Sequence, residues 1–314
     1  MTKILINDGM HNSGVEKLRA KGYTVSTDKI SQDELSSKLQ EFDAICVRSA
    51  TKVRQELIDA CPNLKAIGRG GVGLDNIDVD HAKSKGIAVL NTPAASSRSV
   101  AELALGHLLA LARFGHISNR QMPTSGNTDF KGLKKAYSKG FELEGRTMGI
   151  IGFGRIGQEL AKLALGCGMK VVATDMVDIT AEITQQIGTQ TVTNSIKTIP
   201  MDDMLSQADV ISLHVPFTGK AVLDAEAFAK MKDGVVILNA ARGGTIDEAS
   251  LLQAIETGKV AAAGLDVFEN EPTPKQELLN HPKISCSPHI GASTGEAQEK
   301  IGIELADKLI DVLG

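Results

Sequence analysis

Short apolar runs alternate with longer amphipathic stretches almost from end to end of this 314-residue chain. Residues Ile4–Asn7, Asp43–Val47, Leu64–Gly68 and Ile87–Leu90 have the length and apolar character of buried strands. Between them, helical spacing appears around Ser13–Lys21, Ser31–Gln40, Arg54–Ala60 and Val79–Lys85. The first series stops at Asn91-Thr92-Pro93. A long helical pattern then begins near Ser96, with Ser96, Ser97 or Ser99 able to cap it. Leu103, Leu105, Leu108, Leu109 and Leu111 spread around that helix, which predicts burial between domains or subunits. The polar stretch Gln121–Glu144, with Pro123, Gly126 and several lysines, predicts a loop. Later strands are predicted at Asp209–Leu213, Val235–Leu238, Ala261–Leu265 and Ile284–Ser287. A helix over Asp247–Thr257 has an acidic start and Gly258 just past its end, and a last helix follows Ser293-Thr294. This alternation predicts an α/β protein with two doubly wound parallel-sheet domains.

One junction in the pattern carries chemistry. The apolar run Thr147–Ile151 leads into Gly152-Phe153-Gly154-Arg155-Ile156-Gly157, and a helix-forming run from Gln158 leads out. A second apolar run, Lys170–Thr174, ends on Asp175. Strand, glycine turn, helix, strand and acid are the parts of a dinucleotide site in order. Gly152 permits the sharp turn, Gly154 lets backbone approach a pyrophosphate, and Gly157 lets helix and strand pack closely. The helix start at Arg155 and Ile156 offers N–H groups and a positive dipole end. Asp175 can accept hydrogen bonds from a ribose hydroxyl and would repel a 2′-phosphate, so NAD is expected over NADP. The domain around this turn is expected to be Rossmann-type.

Composition narrows the classes. Formal net charge is −4 and aromatic content is 3% with no Trp, so neither nucleic acid nor an anionic membrane is an expected partner. No apolar stretch reaches membrane length, and Met1–Ile6 resembles a first strand rather than a signal peptide. Cys46, Cys61, Cys167 and Cys286 are scattered, which predicts reduced thiols in a cytoplasmic protein. No metal-ligand spacing is present, and no metal is expected.

Three strand ends in the last third carry groups suited to a small acid. Arg242 follows a strand in Asn239-Ala240-Ala241-Arg242-Gly243-Gly244, where a guanidinium can clamp a carboxylate. Glu271 lies in Leu265–Pro272, and His289 in Ser287-Pro288-His289-Ile290-Gly291. His289 can exchange the hydroxyl proton, Glu271 can fix its tautomer, and Arg242 can hold the substrate and polarise its carbonyl. His11, His81, His107, His116, His214 and His281 lack such a context and read as structural or exposed. Lys131, Lys134, Lys135 and Lys139 read as a solvated group.

The glycine string, Asn239–Gly244, Leu265–Pro272 and Pro288–Thr294 together resemble the D-isomer-specific 2-hydroxyacid dehydrogenase family. Val47–Lys52, Gly68–Asp78 and Gly291-Ala292-Ser293-Thr294 resemble its D-3-phosphoglycerate dehydrogenase branch, in a short form without the C-terminal regulatory domain. The resemblance implies Arg242, Glu271 and His289 as the catalytic set, with Glu271 taken rather than Glu269 because the family's acid directly precedes the proline. It implies a discontinuous substrate-binding domain, residues 1–93 and 289–314, and an NAD-binding domain over 94–288. Asp266 would bind the nicotinamide carboxamide or cap a turn. Arg48, Ser49, Arg69, Gly70 and Gly71, with Lys52 nearby, would hold a phosphorylated 2-hydroxy acid, or the cations would pair with surface acids. A homodimer is also implied. The expected reaction is oxidation of 3-phospho-D-glycerate to 3-phosphohydroxypyruvate. Alternatives are a glyoxylate/hydroxypyruvate or broad D-2-hydroxyacid reductase, and an NAD(H)-sensing binding protein on the same fold.

Overall fold

The computed structural model describes residues Met1–Gly314, which divide into two compact units. One comprises Met1–Ser99 with Ala292–Gly314, the other Val100–Gly291. The division falls later than expected at both crossings. His289, Ile290 and Gly291 stay with the second unit because the backbone N–H of each donates to Asp266.

The first unit is built on β1 (Lys3–Ile6), β2 (Thr24–Ser26), β3 (Ala44–Val47), β4 (Ala66–Arg69) and β5 (Ala88–Asn91). All pair parallel in the order β2-β1-β3-β4-β5. Because both faces of such a sheet are covered, its strands read as continuous apolar runs. β2 escapes a sequence reading, since it has only three residues and none is buried. The helix expected over Ser31–Gln40 is broken into short turns, 32–34, 35–38 and 39–41, of which Leu35 and Leu39 are buried. The last helix of the chain, Gly295–Leu313, closes this unit's core. Its Leu305, Ala306 and Leu309 pack with Ile4, Ile6, Val15 and Leu18. It meets helix Asn12–Ala20 at a glycine crossing, where a Cβ on Gly14 would strike the Gly302 carbonyl. Each buried leucine contributes about 1.5–3 kcal/mol by leaving water.

The second unit carries β6 (Thr147–Ile151), β7 (Lys170–Thr174), an antiparallel hairpin of β8 (Thr180–Ile187) and β9 (Gln190–Lys197), then β10 (Val210–Leu213), β11 (Val235–Asn239), β12 (Val260–Leu265) and β13 (Ile284–Cys286). The main sheet is parallel in the order β13-β12-β11-β10-β6-β7. The strand order reverses between β6 and β10, and ligands of such folds bind outside the strand ends at that point. The hairpin was not expected. Ile183 and Ile196 are its buried positions, and the rest is Thr- and Gln-rich with a two-residue Gly188-Thr189 turn. β-branched residues with so few apolar partners leave a weak period-two signal.

One helical expectation is corrected. The stretch Gln121–Glu144 is not one loop, because helix Gly115–Ser125 runs into it and Phe130–Ala136 forms another helix capped by Asp129. Neither buries a residue, and both carry few apolar side chains, so the core-facing signal of a packed helix is missing. Helix Ser97–Ala112 packs one face within the chain. Ala101, Ala104, Leu108 and Leu111 enter the core of the second unit, while Leu109 is 48% exposed.

The two sheets are closed at corresponding corners by an acid. The Asp43 carboxylate accepts the Lys3 N–H at 2.8 Å and pairs with Lys65 at 2.8 Å. Asp209 accepts the Thr147 N–H at 2.8 Å and pairs with Lys232 at 3.0 Å. The Lys65 bond and the Lys3 N–H hold the Asp43 carboxyl below its usual range, against a smaller opposing effect of burial. At Asp209 burial pushes upward, but the Thr147 N–H and Lys232 together bring the net shift down. A carboxylate with a lowered folded pKa stabilises above its unfolded value of about 3.9 and loses that contribution as pH falls through the folded value. Asp43→Asn should therefore lower the melting temperature near neutral pH. Below about pH 4 the variant should lose less further stability than the parent, as scanning calorimetry across the acid range would record.

Candidate active site

The glycine turn has the geometry its residue types demand. Gly152 follows β6 at φ +91°, and a Cβ there would lie 2.6 Å from the His214 carbonyl after β10. A Cβ on Gly157 would strike the Gly152 carbonyl, so only glycine lets helix Arg155–Gly166 sit against β6. Gly154 caps that helix without a side-chain bond, and the space beside its Cα is open. Uncapped N–H groups, an open approach and a positive helix end fit a pyrophosphate. Asp175, next after β7, accepts the Phe153 N–H at 2.7 Å through Oδ2. It is thereby fixed at the rim of the turn, with its other oxygen unengaged for a ribose hydroxyl. These residues fit NAD, which when bound supplies a ring that exchanges hydride.

At the far strand ends, Glu271 and His289 meet. Glu271 Oε2 lies 2.7 Å from His289 Nδ1, and its Oε1 accepts the Phe268 N–H at 3.1 Å. Burial pushes the Glu271 carboxyl upward, but the hydrogen bond and charge of His289, the Phe268 N–H and the charge of Arg242 hold it below its usual range. An ionised carboxylate only accepts, so Nδ1 carries a proton and Nε2 is left to exchange one. Both side chains stay reachable, at 35% and 44% exposure. A pocket of about 400 Å³ opens beside the pair, walled by Phe268, Pro272, Pro274, Leu279 and Pro288. The neighbouring acid, Glu269, turns away. It exchanges backbone bonds with Glu248, and Lys275 bridges both carboxylates at 2.9 and 3.0 Å.

The turn bearing His289 is held in an uncommon shape. His289 has φ +55°, a region that residues with a Cβ rarely adopt. Its N–H donates to the Asp266 carbonyl, while the Asp266 carboxylate takes the N–H groups of Ile290 and Gly291 at 2.9 Å each. Asp266 is 1% exposed, so of its two expected roles the turn cap is the one its bonds describe.

Arg242 reaches the same corner of the second unit through close backbone packing. A Cβ on Gly243 would strike the Phe268 carbonyl, so glycine lets the Arg242 loop lie on the strand end that leads to Glu271. Asn239 Nδ2 and Thr245 Oγ1 donate to the Arg242 carbonyl at 3.2 and 2.7 Å, and one guanidinium nitrogen donates to the Ala241 carbonyl.

In the first unit, Arg48 follows β3 directly and Arg69 ends β4. A polar network that the sequence does not advertise shapes the Arg48 loop. Asp8 accepts the N–H of Arg48 and Thr51 and the Thr51 hydroxyl, and Asn76 donates to the Arg48 and Thr51 carbonyls. The Arg48 guanidinium is half-buried, borders a small cavity with Gly70 and Gln298, and makes no bond within the chain. Ser49 is exposed. The Gly70 and Gly71 N–H groups donate to the Val47 and Arg69 carbonyls at 2.9 and 3.0 Å.

Comparison with known proteins agrees with this geometry. Residues 105–291 match the model of the D-isomer specific 2-hydroxyacid dehydrogenase NAD-binding domain. The chain belongs to the D-isomer-specific 2-hydroxyacid dehydrogenase family. It is 46% identical over 318 residues to a hydroxypyruvate reductase of Thermotoga maritima, covering 99% of this chain and 98% of that protein. It is 41% identical to a D-3-phosphoglycerate dehydrogenase of Methanocaldococcus jannaschii, over all of this chain but 58% of that protein. Among solved structures, a glyoxylate reductase from Paecilomyes thermophila superposes with a TM-score of 0.83 at 30% identity, covering 99% and 94% of the two chains. The matched range lies inside the second unit, so the dehydrogenase binds NAD there and acts on 2-hydroxy acids. Among its helices, no single one is long and apolar enough to cross a membrane.

In this dehydrogenase, Asp175→Asn keeps an acceptor for the Phe153 N–H but removes the charge that opposes a 2′-phosphate. The preference for NADH over NADPH should fall by about tenfold or more, measured as the ratio of kcat/KM values. An unchanged ratio would assign cofactor choice to another group.

Proposed function

We propose that this dehydrogenase reduces hydroxypyruvate to D-glycerate with NADH. The observation that carries this reading is the end-to-end likeness to the Thermotoga maritima hydroxypyruvate reductase, 46% identical across 98% of that protein. In this reading Arg242 holds the substrate carboxylate and polarises its carbonyl. His289 Nε2 places a proton on the carbonyl oxygen, and Glu271 keeps the imidazole in the tautomer that frees Nε2. Asp266 keeps its backbone bonds at the turn and borders the nicotinamide carboxamide. The first unit serves as the substrate-binding domain.

A second reading is oxidation of 3-phospho-D-glycerate to 3-phosphohydroxypyruvate. Arg48 favours it, because a half-buried guanidinium without an internal partner suits an added phosphate. Arg69 and Ser49 would then complete the anion site.

His289→Ala should lower kcat about 10²–10⁴-fold, the range for a lost general acid. Near-normal turnover would remove His289 from that role. A panel of 2-oxo acids followed by NADH absorbance should give the highest kcat/KM with hydroxypyruvate. Preference for phosphohydroxypyruvate, lost selectively in Arg48→Ala, would favour the second reading instead.

A further inference from the structure

A buried histidine outside the Arg242, Glu271 and His289 group stands at the head of a hydrogen-bonded chain ending on the His289 turn. His107 lies on helix Ser97–Ala112 and is 7% exposed. Gly264 of β12 makes room for it, since a Cβ there would lie 2.7 Å from the His107 Cβ. Both ring nitrogens meet serine hydroxyls from the segment that leads into His289. Nδ1 is 2.9 Å from Ser285 Oγ and Nε2 is 2.8 Å from Ser287 Oγ. Ser287 Oγ donates in turn to Asp266 Oδ1 at 2.6 Å. The same oxygen accepts the Ile290 N–H, and Asp266 Oδ2 accepts the Gly291 N–H.

The direction of each bond follows from the last acceptor. An ionised carboxylate cannot donate, so the Ser287 hydroxyl proton points at Asp266. Ser287 Oγ must then accept from His107, which puts the ring proton on Nε2. Nδ1 is left as an acceptor for the Ser285 hydroxyl. One neutral tautomer satisfies all three links without an orphaned polar atom. Burial, opposed by the charge of Asp266, favours the neutral ring.

We propose that His107 is a positioning residue that acts through Ser287 and Asp266 to hold the His289 turn. Without the His107 donor, the Ser287 hydroxyl is free to rotate away from Asp266. The buried carboxylate then loses its shortest bond, and the turn that keeps His289 at positive φ loosens. The Glu271–His289 alignment is the quantity that suffers. The effect on turnover presupposes His289 as the proton-exchanging group, whereas the effect on the turn does not.

The test uses the full chain labelled with ¹⁵N at histidine, without cofactor, together with steady-state kinetics. Long-range ¹H–¹⁵N spectra should show His107 protonated at Nε2 and His289 protonated at Nδ1. In His107→Leu and Ser287→Ala the His289 signals should move toward those of a freely rotating imidazole. With NADH and hydroxypyruvate, kcat should fall about tenfold while the KM of the oxo acid stays within about threefold, as expected for lost alignment rather than lost binding. His107→Gln, whose amide can donate to Ser287, and Ser287→Thr, which keeps the hydroxyl, should each recover most of both signatures. Folded His107→Leu and Ser287→Ala proteins with unchanged His289 signals would overturn the proposal, as would a His107 proton on Nδ1. If the parent protein turned over no oxo acid, the functional reading would fail, yet the spectra would still decide the role of His107.

Discussion

The site depends on one buried carboxylate. Asp266 sits at the end of β12 with 1% exposure, and a charge so placed is costly unless it is fully hydrogen-bonded. Here the donors are the Ile290 and Gly291 N–H groups and the Ser287 hydroxyl. The desolvation cost of the charge thus becomes a constraint on the turn, because any other backbone path would leave the carboxylate short of donors. That turn presents His289 Nδ1 to Glu271 at 2.7 Å while the side chain stays partly exposed. Alignment of the pair is therefore a property of the backbone around Asp266 as much as of the two side chains.

The second unit uses glycine for the same end, which is to bring backbones close where a ligand or a loop must fit. Gly152 and Gly157 let the cofactor turn fold back on β6, and Gly243 lets the Arg242 loop rest on the Phe268 carbonyl. Anion-binding N–H groups, a guanidinium and an imidazole thus come from separate strand ends of one sheet. Parallel strands make this possible, since all their C-terminal ends lie on the same edge.

Much of this was legible in the chain. The parallel α/β architecture follows from continuous apolar runs separated by amphipathic helices, and the dinucleotide turn from a glycine string held between strand and helix. Glu271 was separable from Glu269 only through its place before Pro272, a family trait. The geometry supplies the physical difference, because Glu269 is committed to Glu248 and Lys275. Other features left no usable signal. Helices Gly115–Ser125 and Phe130–Ala136 bury no residue, and the β8–β9 hairpin buries only Ile183 and Ile196. His107 reads as an ordinary core histidine because its partners lie about 180 positions away, a separation that no local pattern encodes. The engaged N–H groups of Gly70 and Gly71 were equally invisible, since a glycine loop can point its donors outward or spend them on its own carbonyls.

In the proposed reaction the chemistry rests on an imidazole whose inner nitrogen is tied to a carboxylate and whose outer nitrogen would face the substrate oxygen. A crystal structure with NADH and the 2-oxo acid analogue oxamate tests that arrangement most directly. The expected result puts the oxamate carbonyl oxygen within about 3 Å of His289 Nε2, with the analogue's carboxylate on Arg242 and the Glu271–His289 bond intact. Oxamate bound away from His289, or a His289 ring turned so that Nε2 faces Glu271, would contradict it.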